Sequence, residues 1–127
     1  MKIILASKSG VRKKILSINN INCEVVPSNL DEDSIKESLL NEKASPKLIS
    51  KNLAELKANK VSQKKNENIV LGADSVIDLE GELISKPISR EDAMNILKKL
   101  NGKKHYLISS VCISKNGAMV WNYTEKA

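Results

Sequence analysis

Three groups of polar residues have the types and spacing to handle a phosphorylated ligand. Ser7, Lys8, Ser9 and Arg12 follow directly on the apolar run from Ile3 to Ala6. Helical spacing begins at Val11, with Ile15 and Ile18 on one face and Leu16 beside them. A helix start exposes unpaired backbone N–H groups and the positive end of the macrodipole. Two serines and an arginine there make a phosphate cradle. The plainer alternative is that Ser7 or Ser9 only caps the helix and the basic residues form a solvated face. Asp74 is the second feature. It follows the apolar run Ile69–Leu71, with Gly72 and Ala73 leaving room around it. A carboxylate at a strand end could hold a divalent metal or take a proton from water; otherwise it is a turn aspartate capping the next N–H. The third group is weaker: Glu32 in an acidic loop, Lys57 on a helix, and Lys86 before Pro87. His105 is the only histidine, which leaves a Ser–His hydrolase formally open, but its place at the edge of a strand after Lys103 and Lys104 favours an ordinary surface role.

The elements that must position these residues alternate between strand and helix. Ile3–Ala6 reads as a buried strand and the basic segment after it as a helix. Asn19, Asn20 and Asn22 mark a turn, and Cys23–Pro27 a second strand. Ser28–Asp33 is expected to be a polar loop and Ser34–Leu40 a short helix. Ser45 and Pro46 start a longer helix, with Ile49, Leu53 and Leu56 on its apolar face, reaching to about Lys64. After the Ile69–Leu71 strand, Glu80 and Gly81 turn the chain, and Glu82–Ser85 returns as a strand. Ser89 to Asp92 resembles a capping box for a helix with Ala93, Ile96, Leu97 and Leu100 inward, stopped by Gly102. His105–Ser114 and Ala118–Tyr123 form a hairpin through Asn116 and Gly117. The expected fold is α/β: a mixed β-sheet flanked by helices, with parallel pairs from the crossovers and antiparallel pairs from the hairpins.

Composition limits the partners. The 127 residues fit a single domain, spanning 1–127, with a core of its own. With no Phe, one Trp and two Tyr, that core must be aliphatic, and stacking platforms for single-stranded nucleic acid are nearly absent. The net charge of +6 favours an anionic partner, but the basic residues form no tract, so a small phosphorylated ligand suits them as well as a polymer. Cys23 and Cys112 lie far apart in apolar runs and read as reduced, buried thiols rather than metal ligands. The N-terminal apolar run is too short for a signal peptide, and no stretch has the length of a membrane span, so a cytoplasmic location and no membrane partner are expected.

The motifs converge on a family. Leu5-Ala6-Ser7-Lys8-Ser9 with Arg12 and Leu16 resembles the opening signature of the Maf nucleotide pyrophosphatases. The resemblance continues through Asp31-Glu32, Leu53-Ala54 with Lys57-Ala58, Leu71 to Val76, Ser85-Lys86-Pro87, and Asp92-Ala93 to His105, in the family's order. It implies a Maf/ITPase-like fold with a substrate cleft, and hydrolysis of a nucleoside triphosphate to the monophosphate and pyrophosphate with a divalent cation, Mg²⁺ or Mn²⁺. It implies Asp74 as the catalytic residue, with Asp74 and Glu32 toward the metal. Substrate contacts are implied for Ser7, Ser9, Arg12, Lys13, Glu32, Lys57, Ser75 and Lys86. Two departures stand out. Val11 occupies the first of two positions that are often Arg, and Ser75 stands where Thr is common; Val11 leans toward the subgroup acting on 7-methyl-GTP and away from the dTTP/UTP pattern. The family also runs on for a further third of its length, so the chain reads as a fragment or a shortened member, truncated at its C-terminus, with an incomplete cleft and exposed apolar surface. The resemblance leaves a homodimer open. The competing reading is a catalytically weak nucleotide-binding protein or a cell-division-related interaction protein.

Overall fold

A computed structural model describes residues 3–84 and 89–127. Ten elements run in chain order: β1 (Ile3–Leu5), α1 (Gly10–Ile18), β2 (Cys23–Val25), α2 (Glu32–Asn41), α3 (Pro46–Lys64), β3 (Ile69–Leu79), β4 (Glu82–Ile84), α4 (Arg90–Leu100), β5 (His105–Lys115) and β6 (Ala118–Lys126). They make the expected mixed α/β architecture. One sheet has the order β2-β1-β3-β5-β6, with β4 also paired to β3. β1 is parallel to β2 and β3, and the β3–β4, β3–β5 and β5–β6 pairs are antiparallel.

Local chemistry sets the boundaries. Ser9, Asp31, Ser45 and Ser89 each cap a helix by accepting a backbone N–H three residues on. Pro46 supplies the fixed φ of the first turn of α3. The β5–β6 turn uses Asn116 and Gly117, both at positive φ, the geometry of a tight hairpin. β6 carries a bulge near Val120, because Ile113 pairs with Trp121 while Ser114 pairs with Met119.

Alternation divides the sheet into two faces. Ile4, Val70, Cys112 and Met119 face α3 and pack with Ala54, Ala58 and Val61. Gly72 lets the helix come close: a Cβ at this position would lie 2.4 Å from the Ala54 carbonyl oxygen and 2.8 Å from the Ala58 nitrogen. Burial pushes the Cys112 thiol up to about 11, helped by the Glu55 carboxylate. Cys23 is only half-buried, and both thiols are free.

Several expectations change. Asp74 is not at a strand end, because β3 runs unbroken from Ile69 to Leu79 and pairs Asp74 with Ser110. Glu32 is not a loop residue; the Asp31 cap draws it into the first turn of α2. The hairpin strand continues past Tyr123 to Lys126. Leu56 is exposed, while Ile49 and Leu53 are buried. The apolar stripe of α1 is not covered, with Val11 and Ile18 each 69% exposed. No residue of α4 is buried, and a Lys99–Glu82 ion pair ties that helix to β4. The expected Ser85 end of β4 lies outside the described residues.

Candidate functional site

A polar cleft of about 300 Å³ opens where the β1–α1 turn, α2, α3 and the middle of β3 meet. Its lining includes Ser7, Ser9, Arg12, Glu32, Lys57, Asp74 and Ser75. Seven of the residues singled out from sequence are therefore brought together from five elements or turns. Lys13 is exposed on α1 and does not line the cleft. Lys86 lies outside the described residues.

The first wall is built by local hydrogen bonding. The Ser9 hydroxyl accepts the Arg12 N–H at 3.2 Å and so caps α1. The Ser7 hydroxyl accepts the Ser9 N–H at 3.0 Å and the Arg12 Nη1–H at 3.2 Å. The capping alternative therefore holds for Ser9, and the Ser7 hydroxyl in addition fixes the guanidinium at the helix start. Arg12 has further donors in its fork, and a guanidinium so placed suits a bidentate contact with phosphate.

The second wall is a charge cluster. Lys57 reaches from α3 and is 7% exposed; Asp74 is 6% exposed. The Lys57 Nζ lies 2.6 Å from Glu32 Oε1 and 3.2 Å from Asp74 Oδ1, and it donates to the Ala73 carbonyl at 3.2 Å. The ammonium thus donates hydrogen bonds to Asp74 Oδ1 and the Ala73 carbonyl and is ion-paired with Glu32. Asp74 Oδ2 is buried with no hydrogen-bond partner among the described residues. Burial pushes the Asp74 carboxyl above its ordinary range, with the Lys57 ammonium opposing and the Glu32 carboxylate adding to the rise. A partly dehydrated carboxylate with one free oxygen can accept a proton or ligate a hard cation.

Asp74 and Glu32 are the oxygen donors that would hold such a cation. Among the described residues no three His, Cys, Asp or Glu side chains are placed to hold a metal ion by themselves. Two carboxylates suit a Mg²⁺-type ion that keeps water and takes its other ligands from substrate phosphates.

Lys8, from the first polar group, and Val76, from the family motif around Asp74, also line the cleft, as does Lys36, which sequence reasoning passed over. Lys36 stands four residues after Glu32, one helical turn away, and that spacing was the available signal once Glu32 is helical. His105 is exposed, its Nδ1 near the Lys103 carbonyl, and is not a cleft residue. No described helix is long and apolar enough to cross a membrane.

A family profile described as Maf-like protein matches residues 2–127. A protein of Pelagibacter ubique named nucleoside triphosphate pyrophosphatase is 73% identical over 99% of this chain and 65% of its own length. One of the same name from Roseobacter denitrificans is 42% identical over 95% of this chain and 61% of its own. An Aquifex aeolicus protein named dTTP/UTP pyrophosphatase is 39% identical over 89% of this chain and 56% of its own. The chain thus spans less than two thirds of the length of these relatives. Among solved structures, the Staphylococcus aureus Ham1 protein superposes with a TM-score of 0.57 at 15% identity, covering 99% of this chain and 68% of that one. The similar HAM1 protein of Coxiella burnetii gives 0.55 at 13% identity, over 99% of this chain and 69% of its own.

Proposed function

The chain belongs to the Maf-like family, and from that membership we propose that it is a nucleoside triphosphate pyrophosphatase, acting as one domain over residues 1–127. The observation that carries the reading is the buried Asp74 carboxyl, with Oδ2 unpartnered, lining the same cleft as Ser7, Ser9 and Arg12. In this reading Arg12 and the first N–H groups of α1 hold the triphosphate, and Ser7 and Ser9 keep that turn in place. Asp74 takes the proton from a water that attacks the α-phosphorus. The P–O bond to the β-phosphate breaks, and pyrophosphate leaves with the monophosphate as the second product. Lys57 holds the Asp74 and Glu32 carboxylates in register; contact with a phosphate competes with these present partners. Ser75 and Lys86 complete the proposed substrate contacts; Lys13, exposed outside the cleft, is not among them. A divalent cation, Mg²⁺ or Mn²⁺, held by Asp74 and Glu32 would neutralise phosphate charge. The cytoplasm, where nucleoside triphosphates are found, is the proposed location.

For the base, we favour 7-methyl-GTP over dTTP and UTP, because Val11 replaces an Arg in the opening signature. The named activity of the Aquifex relative supports dTTP and UTP as the second reading. Pyrophosphate release from a panel of common and methylated triphosphates, with Mg²⁺ or Mn²⁺, decides between them. The expected order is 7-methyl-GTP above dTTP and UTP; the reverse order removes the lean and leaves the general activity standing. Binding without release across the whole panel favours the interaction-protein reading.

A further inference from the structure

The α3 helix grips the strand segment around Asp74 at two points, seven residues apart on one helix face. Lys57 takes the Ala73 carbonyl and Asp74 Oδ1. Two turns earlier, the Ser50 hydroxyl donates to the Asp74 main-chain carbonyl at 3.2 Å. Ser50 Oγ also lies 3.0 Å from Ser110 Oγ on β5, and Ser110 Oγ lies 3.0 Å from Thr124 Oγ1 on β6. Ser50 is 0% exposed and Ser110 1%. Three hydroxyls therefore connect the backbone of Asp74 to the second strand of the C-terminal hairpin. A hydroxyl buried away from water needs a partner, and here the partners are one another and Asp74.

We infer that Ser50 is a positioning residue for Asp74, acting with Ser110 and Thr124 to fix where the Asp74 carboxyl stands in the cleft. The inference rests on the proposed role of Asp74 as base. Ser50 touches no cleft space itself; it acts through the strand. The packing around it explains why a serine is needed. At Gly72 the helix and strand backbones are already in contact, so a polar atom here must be small and must bond within the interface.

Ser62 provides the control. It is equally buried on the same helix and accepts the Gly117 N–H at 2.9 Å, far along α3 from Asp74. The experiment compares Ser50→Ala and Ser62→Ala with the parent. It reads the ¹³C chemical shift of the Asp74 carboxyl carbon at fixed pH, assigned by its loss in Asp74→Asn, together with kcat and KM for pyrophosphate release. Both variants are expected to melt at lower temperature. Only Ser50→Ala is expected to displace the Asp74 resonance and to lower kcat, by about 10- to 100-fold at unchanged KM, as for a small misplacement of a reacting group. Thr124→Val removes the far hydroxyl without changing shape and should displace the same resonance less; it carries the test if Ser50→Ala does not fold. An unmoved resonance in a folded Ser50→Ala, or an equal displacement in Ser62→Ala, overturns the inference. A parent that releases no pyrophosphate overturns the proposed function instead, while the resonance still decides the role of Ser50.

Discussion

Asp74 is held at a cost to the fold. Burial raises its pKa from 3.8, and Lys57 only partly opposes that rise. The folded state therefore binds the proton more tightly than the unfolded chain does. The contribution of this group to stability is largest below pH 3.8 and declines as pH rises through the folded-state value. Once ionised, the carboxylate is incompletely solvated. Asp74→Asn keeps the shape and removes the charge, so its melting temperature at pH 7 should lie above that of the parent. Its hydrolysis should fall by about 10²–10⁴-fold, the usual loss for a general base. Calorimetry and pyrophosphate release measure the two; a lower melting temperature would mean that the Lys57 pair outweighs burial. For the same reason the Asp74 carboxyl of the metal-free parent, followed by its ¹³C shift against pH, should titrate above the ordinary carboxylate range. The small neighbours Gly72 and Ala73 made Asp74 conspicuous in the sequence. Its place in mid-strand was not legible, because Gly, Ala, Asp and Ser are poor strand formers. Pairing of the whole of β3 with β5 overrides that local preference.

At the level of elements, α3 determines the site, since both Lys57 and Ser50 project from it. Gly72 fixes how closely that helix approaches β3. Gly72→Ala places a methyl group within 2.4 Å of the Ala54 carbonyl oxygen, a backbone atom that cannot rotate away. The helix must move, at about 1–3 kcal/mol for overpacking. The expected result is a lower midpoint in urea together with a lower kcat, because Lys57 and Ser50 shift with the helix. A stability loss with full activity would show that the two side chains adapt. The start of α3 at Ser45-Pro46 and the tight turn at Asn116-Gly117 could be read from sequence because each rests on a local rule. Which apolar stripes are covered is a tertiary fact. The stripes of α3 and α1 look alike in the sequence, yet Ile49 and Leu53 are buried while Val11 and Ile18 are in solvent.

At the scale of the molecule, the two sheet faces are unequally covered. On the α3 side, Ile4, Val70, Ile108 and Cys112 are shielded almost completely. On the other side, a largely apolar groove of about 260 Å³ lies against α1, lined in part by Leu5, Ile15, Leu16, Leu71 and Val111. Beyond it the face carries Leu107, Trp121 and Tyr123, exposed at 49%, 50% and 53%, with the two aromatic rings stacked at 6.3 Å. β6 also ends the sheet order, so its outer edge has no strand beside it among the described residues. An apolar patch beside an open edge favours association. Sedimentation velocity should therefore show a weight-average mass that rises with protein concentration. Trp121→Lys with Tyr123→Lys should return the chain toward the monomer through charge repulsion across the patch. Neither side chain lines the polar cleft or the groove beside α1, so nucleotide affinity should be unchanged in the double variant. A monomer at every concentration would exclude this face as a contact between copies. Loss of nucleotide binding together with loss of association would instead mean that the paired state holds the cleft in shape.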